Sequence, residues 1–323
     1  MPLLLAMLLA LQDPSDPQDK VGYGIMSIPS LSLLNSLRGG LEPRIPEPLP
    51  RGTFELDYSL TWANTWGYND GSFFVDQESL VPTIALGWGA TDHTRIELEA
   101  RAPSRFGGRM DSLIEVVHEV FKVEAMNREE FPEDDFRVEL TRAGKSAELE
   151  GGDRGFYGSS LAVTLQNTLW VGDEVWPLVA GSITARADAG PNRDLREGSL
   201  VDVGASLSAA TRVDDFHFYG ALGAAWYGTE RFQHVKMRPV QGSILLASEW
   251  RFGPGASLVA QYLITKGAAR NWRNFSRPSN EIALGLRVAI AANARLELGV
   301  IENLADPVNA PDFGLHAGMD LRF

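Results

Sequence analysis

The sequence of 323 residues contains no cysteine. This absence excludes disulfide bridges, thiolate metal sites, a cysteine nucleophile and a lipid anchor attached to cysteine. Long hydrophobic runs are also lacking, because the one extended apolar stretch, Leu3–Leu11, is too short to cross a bilayer as a helix. A helical membrane protein is therefore excluded, and we predict that residues 1–12 form a secretory signal peptide.

Basic residues are fewer than acidic ones: the chain has 29 lysines and arginines and 42 aspartates and glutamates, so its formal net charge is −13. Nucleic-acid binding needs clustered positive charge, so we predict no nucleic-acid partner. Five histidines are present, but the sequence has neither a Gly-x-Ser-x-Gly motif nor a His-x-x-x-His spacing. We therefore predict no catalytic residues, no metal site and no cofactor, and expect that the chain is not an enzyme.

The sequence is instead rich in alternation of apolar and polar residues, most clearly over residues 313–323, where it ends on an aromatic residue. Residues 54–62 and 94–102 show the same period of two, and about twelve such segments follow one another. Strands with one apolar and one polar face suit a closed barrel with lipid outside and water inside. We predict an all-β fold, a transmembrane antiparallel β-barrel of about twelve strands over residues 51–323.

The predicted connections alternate between short turns, such as 89–93 and 171–175, and long ones, such as 63–73 and 104–158. Barrels of the bacterial outer membrane have short periplasmic turns and long outer loops, so the alternation predicts both compartment and orientation. The expected partners are outer-membrane lipid and lipopolysaccharide, and the barrel assembly machinery through Phe323.

Outer loop 104–158 is the connection for which the sequence predicts regular secondary structure. From Asp111 to Ala125, apolar residues recur on one face, which predicts an amphipathic helix with Asp111 as its N-cap. Such a helix would constrict the pore, cover it, or pack in the barrel mouth. The predicted constriction residues are Asp111, Glu115, His118 and Glu119.

The predicted inward faces carry charges of both signs. Charged rings select ions in an open pore, whereas in a closed barrel the same groups pair across strands and fill the interior. A segment that plugs the lumen would make the barrel closed, and the irregular Pro-rich residues 13–50 are a candidate for such a plug. The predicted lumen-lining and selectivity residues are Arg95, Glu97, Glu99, Arg101, Glu249, Arg251, Arg287, Arg295, Glu297, His316, Asp320 and Arg322.

Two motifs carry a family resemblance: Thr61–Trp66 at the end of the first strand, and Asp111–Phe121 followed by Arg128–Pro132. On these, residues 22–170 resemble a family of bacterial outer-membrane barrel proteins of unknown function. The resemblance implies the barrel fold and the outer membrane, and it implies no activity. The chain departs from the family pattern at Gly158-Ser159, where a Gly-Asp pair is expected before the fourth strand.

Three functions stay open on the sequence. The favoured one is a channel or gated pore for small polar or amphiphilic solutes, with loop 104–158 as the constriction. The second is a membrane-embedded hydrolase, lipase-like or protease-like, in which His118 or His316 acts as the base beside a hydroxyl or carboxyl group. The third is a structural or adhesive surface barrel.

Overall fold

The computed structural model describes residues 20–110, 114, 130–132, 135–173, 176–189, 195–303 and 309–323. The fold is a closed antiparallel β-barrel of 12 strands, which confirms the predicted fold class. The strands are β1 (Phe54–Asn69), β2 (Phe73–Gly89), β3 (Thr94–Arg101), β4 (Ser159–Trp170), β5 (Leu178–Ala189), β6 (Arg196–Val213), β7 (Phe216–Phe232), β8 (Val240–Gly253), β9 (Ala256–Thr265), β10 (Ser279–Ala291), β11 (Ala294–Glu302) and β12 (Phe313–Arg322).

Each strand pairs with the next in the sequence, and β12 pairs back with β1, which closes the sheet. At this seam Glu55 lies opposite Arg322 and Asn64 lies opposite Phe313. A closed sheet has no free edge, so every strand finds backbone partners on both sides without help from water. That property allows the sheet to stand in lipid.

Shorter elements lie before the barrel and in its outer loops. The described helix α1 covers Leu33–Arg38, and none of the described helices has the length and hydropathy of a membrane-spanning helix. The helix predicted from Asp111 to Ala125 falls outside the described residues, apart from Ile114. The remaining elements are the short strands Ser104–Phe106, Arg137–Arg142, Lys145–Leu149, Gly155–Phe156 and Val235–Lys236 and the 3-10 helices Gly151–Asp153 and Arg273–Ser276.

The outer surface of the barrel is apolar and exposed. Leu222, Leu284 and Leu298 keep 59%, 54% and 58% of their surface, whereas the alternate residues of the same strands point inward. An arrangement with leucine outside and charge inside is stable only where lipid surrounds the barrel. At the start of β1, Phe54 stacks on Trp88 and Phe323, with ring centroids 6.4 and 6.0 Å apart, as part of an aromatic girdle.

The barrel end that carries Phe54 and Phe323 has short turns, including those between β6 and β7 and between β8 and β9, and is therefore the periplasmic end. One predicted long connection is wrong: residues 63–73 are not a loop, because β1 continues to Asn69 and β2 starts at Phe73. The two strands keep pairing beyond the expected membrane edge. The extra pairs carry Phe73, Phe74 and Val75, whose burial in the outer mouth favours the longer hairpin.

Candidate functional site

Residues 20–50, which we call the lumenal segment, run into the barrel and back out at the same end. At the start, the Lys20 ammonium donates to the backbone carbonyl of Asp173 in the periplasmic turn between β4 and β5. Helix α1 lies at the far, outer end. The chain then returns to the periplasmic rim, where the Gly52 N–H donates to the Gly89 carbonyl at 2.8 Å. The lumenal segment therefore occupies the interior along the length of the barrel.

Acidic side chains of the barrel wall hold the backbone of the lumenal segment. Glu249 accepts hydrogen bonds from the N–H groups of Tyr23 and Gly24 at 3.1 and 3.2 Å. Glu281 accepts the Leu31 N–H at 2.7 Å. Neither carboxylate has an ion-pair partner within the described part of the chain. The N–H groups of the segment thus provide hydrogen bonds to two buried carboxylates of the wall. The carboxylates in turn accept from backbone N–H groups that have no partner in a β-ladder.

Neutral polar side chains hold the returning half of the lumenal segment. The Gln166 amide accepts the Glu47 N–H and donates to the Ile45 carbonyl, both at 2.7 Å. The Tyr227 hydroxyl accepts the Leu41 N–H at 2.9 Å. Tyr227 faces the lumen, whereas Trp226, its neighbour in β7, points outward.

Arg287 on β10 joins the barrel charges to the lumenal segment. Its guanidinium lies 2.7 Å from Asp320 and 3.3 Å from Glu297, and it donates to the Ile25 carbonyl at 2.9 Å. Buried charges need this kind of multiple compensation. Other ion pairs inside the barrel are Arg95–Glu55, Arg95–Glu97, Arg295–Asp320, Arg322–Glu55, Arg44–Glu97 and Arg186–Asp202.

Glu42 in the lumenal segment binds Arg101 on β3 at 3.1 Å. Burial raises the pKa of the Glu42 carboxyl, but Arg101 and the Ser30 N–H lower it more, so its net pKa lies below the usual range. A lowered pKa in the folded state stabilises the protein above the unfolded-state pKa, and this contribution is lost as the pH falls through the folded-state value. The contact therefore holds the segment at neutral pH.

Two facing glycines make room for the Met26 side chain of the lumenal segment. Gly285 on β10 and Gly299 on β11 are register partners. A Cβ atom added at Gly299 would lie 2.6 Å from the Met26 sulfur, which is closer than atoms pack. Met26 is buried at this position. The wall is therefore shaped to receive a side chain of the segment.

The outer mouth contains an apolar cluster. Leu33, Leu34 and Leu37 of α1 pack in it with residues from the outer hairpins. The contributing hairpins are the ends of β1–β2 and β7–β8, the strands Arg137–Arg142 and Lys145–Leu149 of loop 104–158, and residues 268–275. The described part of loop 104–158 thus covers the mouth above the lumenal segment.

The structure places all twelve predicted lumen-lining residues on inward-facing positions of the strands. Arg95, Glu97, Glu99, Glu249, Arg287, Glu297, His316 and Asp320 are buried, and Arg101, Arg251, Arg295 and Arg322 are half-buried. Their role in selectivity stays a prediction. The four predicted constriction residues Asp111, Glu115, His118 and Glu119 lie outside the described residues.

His316 on β12 lies between a hydroxyl and a carboxylate. Its Nδ1 atom is 2.9 Å from the Thr61 hydroxyl and its Nε2 atom is 2.8 Å from Glu297. The side chains of Thr61 and His316 are buried, at 0% and 3% exposure. Within the described ranges, no group of three or more histidine or acidic side chains is arranged to hold a metal ion.

Comparison with family models matches residues 2–323 to the family described as "Protein of unknown function (DUF3187)". The chain belongs to this family. The resemblance seen in the sequence is thereby confirmed, as is the assignment to the outer-membrane β-barrels. The comparison with curated proteins found no match to this chain.

Among solved structures, the fold is similar to the COG4313 outer membrane channel from Pseudomonas putida F1, at 15% identity and a TM-score of 0.56. That match covers 88% of this chain and 100% of the channel. The transport unit of the autotransporter AIDA-I from Escherichia coli is also similar, at 10% identity and a TM-score of 0.50, with 97% of this chain and 100% of that one covered. At these identities the likeness shows the fold alone.

Proposed function

We propose that the protein is a gated outer-membrane channel for small polar or amphiphilic solutes, with the lumenal segment as its gate. The observation that carries the proposal is how the segment is held. Side-chain hydrogen bonds and ion pairs attach it to the wall, whereas every ladder of the barrel lies between wall strands. Release of the segment would therefore leave the closed sheet intact. Loop 104–158 remains in the proposal as the outer constriction, above α1.

The interior supports a solute with both polar and apolar parts. A cavity of about 100 Å³ lies beside the lumenal segment. Ile25 and Ile28 supply apolar surface there, and Glu99 and Arg101 supply charge. The similar Pseudomonas putida protein is described as a channel, which agrees with this proposal.

Solute uptake by liposomes tests the proposal. Liposomes that contain the folded protein should take up small polar solutes faster than empty liposomes do. The matched control is a folded variant of the same length in which Gly204 and Leu41 are joined by an engineered disulfide, as described in the Discussion. No uptake by the intact chain, and none after removal of either the lumenal segment or residues 107–154, would contradict a channel of any kind.

His316 supports a second candidate, the hydrolase, because a hydroxyl and a carboxylate lie on its two ring nitrogens as catalytic groups would. We infer a structural role instead, since the complete burial of Thr61 leaves a substrate carbonyl no approach. Thr61→Val should leave solute uptake unchanged, and neither form should hydrolyse a short-chain nitrophenyl ester. Ester hydrolysis that Thr61→Val abolishes would favour the enzyme.

We also propose that the carboxy-terminal residue serves assembly. Phe323 is 68% exposed on the periplasmic rim, and its backbone N–H and carbonyl pair with Phe54. The ring is thus held at a fixed place with a free face for the barrel assembly machinery. Phe323→Ala should lower the amount of folded barrel in the membrane while leaving the function of correctly assembled molecules unchanged.

A further inference from the structure

Arg38 at the end of α1 is a buried cation that forms no ion pair with any of the described residues. Its guanidinium stacks on the Tyr227 ring at 3.6 Å and donates one hydrogen bond, from Nη1 to the Arg238 carbonyl. Its Nε and Nη2 atoms have no hydrogen-bond partner among the described residues, and only 1% of the residue is exposed. Buried donors of this kind are normally satisfied, so the site lacks an acceptor.

The Arg38 side chain lines a small cavity of about 50 Å³ between the lumenal segment and the wall. Arg101 and Arg196 line it as well, and the one carboxylate on its surface, Asp188, is bound by Arg196 at 2.9 Å. The guanidinium of Arg105 likewise has no hydrogen-bond partner among the described residues by geometry, and it lies 3.6 Å above the ring of Tyr157, another lining residue. Because Glu42 pairs with Arg101 and Asp188 pairs with Arg196, Arg38 is the lining cation that has no ion pair among the described residues. The cavity has room for one carboxylate or phosphate group.

Burial lowers the pKa of Arg38 to about 10, and the neighbouring Tyr227 and Asp202 offset only part of this effect. The group is still protonated at neutral pH. Its charge is thus present and incompletely compensated, which an oxyanion beside Nε and Nη2 would correct.

An apolar groove lies on the lipid-facing side of the same part of the wall. It has a volume of about 540 Å³ and is bordered by Tyr58, Ile84 and Leu161, with small residues such as Ala100 and Ala187 at its floor. Four residues line both the groove and the inner cavity: Arg101, Ser159, Ser160 and Asp188. A single layer of residues therefore separates the two.

The wall is irregular where the groove and the cavity meet. The β3–β4 ladder ends at the pair Arg101–Ser160 and resumes at Ser104–Phe156. Between these pairs stands Pro103, which has no N–H to donate and only accepts a bond from the Tyr157 N–H at 3.2 Å. This interrupted stretch of the β3–β4 ladder therefore lacks the regular pairs that join the strands elsewhere in the sheet.

We propose that the wall at this interrupted stretch binds an amphiphile with a single oxyanion head group, a carboxylate or a phosphate. Arg38 receives the head group in the inner cavity, near Arg101 and Arg196. The acyl tail crosses the wall beside Pro103, between the pairs Arg101–Ser160 and Ser104–Phe156, and lies in the outer groove. The proposal rests on the proposed channel for polar or amphiphilic solutes and names the class of amphiphile.

Equilibrium dialysis of labelled dodecanoate against the folded protein in lipid nanodiscs tests this site, with empty nanodiscs as the blank. We expect saturable binding that weakens about tenfold or more in Arg38→Gln, because a hydrogen bond between charged groups is lost. Arg38→Lys should recover part of the affinity. Arg212→Gln, which changes an exposed arginine at the periplasmic end of β6, is the matched control and should bind as the wild type does.

A second pair of variants tests the groove without touching the lumen. Ala187→Leu fills the groove and should weaken dodecanoate binding roughly tenfold, the effect of displacing about two methylenes. Ala205→Leu, on another exposed part of the lipid face, should not. Unlabelled dodecanol and acetate should compete much less well than unlabelled dodecanoate.

Three results would overturn the site: dodecanol competing as well as dodecanoate, acetate competing as well as dodecanoate, or binding unchanged in both Arg38→Gln and Ala187→Leu. Liposome uptake by the same preparations separates this failure from a failure of the proposed function. Uptake of small polar solutes with no saturable dodecanoate binding removes the amphiphile site and leaves the channel.

Discussion

Deletion of residues 20–50 is expected to raise single-channel conductance by about tenfold or more, because a barrel of this strand number is wide enough for water once its interior is emptied. The lumenal segment fills the interior from the periplasmic rim to the outer apolar cluster. Its removal leaves the 12 wall strands and their ladders complete. The measurement is conductance in planar bilayers, and heat-dependent gel migration shows that the variant is folded.

Deletion of residues 137–149 serves as the control for this result. These residues form the hairpin that covers the outer mouth, and they do not enter the lumen. If the lumenal segment is the main barrier, this deletion should raise conductance much less than the first. A folded barrel without residues 20–50 that conducts no better than the wild type would place the barrier elsewhere, with loop 104–158 as the remaining candidate.

Arg287→Gln is expected to lower the free energy of unfolding by about 3–5 kcal/mol, the usual effect of removing one partner from a buried ion pair. The change leaves Asp320 and Glu297 without their shared cation and the Ile25 carbonyl without a donor. Urea unfolding followed by tryptophan fluorescence gives the value. Because the segment loses one attachment, we also expect more frequent channel openings in this variant.

Two further variants make the interpretation of Arg287→Gln specific. Arg212→Gln, at an exposed position, should change the free energy of unfolding by less than about 0.5 kcal/mol. Adding Glu297→Gln to Arg287→Gln should recover part of the loss, since a neutral amide costs less to bury without an arginine partner than a carboxylate. A loss below about 1 kcal/mol in Arg287→Gln would show that this network does not hold the fold.

The barrel could be predicted from the sequence because lipid and water act on opposite faces of every strand. Leu284, Leu286 and Val288 on β10 alternate with inward residues, and that period of two fixes both the strand and its face. The extent of the outer hairpins was less predictable. Beyond the bilayer the same period continues into Phe74 and Val75, where burial among loop residues replaces contact with lipid.

The course of the lumenal segment could not be predicted, because its contacts follow no period. Its backbone bonds go to side chains scattered over many strands, and only the folded barrel brings these together. Two signals were present in the sequence. Glu281 stands on an inward face without an opposite charge close by in its own strand, and Gly285 and Gly299 leave an inward gap that Met26 fills.

The central claim, that the lumenal segment closes the channel by resting against the wall, is tested most directly by fastening it there. A Cβ atom at Gly204 on β6 would lie 3.6 Å from the Leu41 Cβ atom, within the range that a disulfide spans. The chain has no other cysteine to interfere. In the variant that carries Leu41→Cys and Gly204→Cys, we expect no conductance when oxidised and wild-type openings after reduction. Equal conductance in the oxidised and reduced forms would contradict the account.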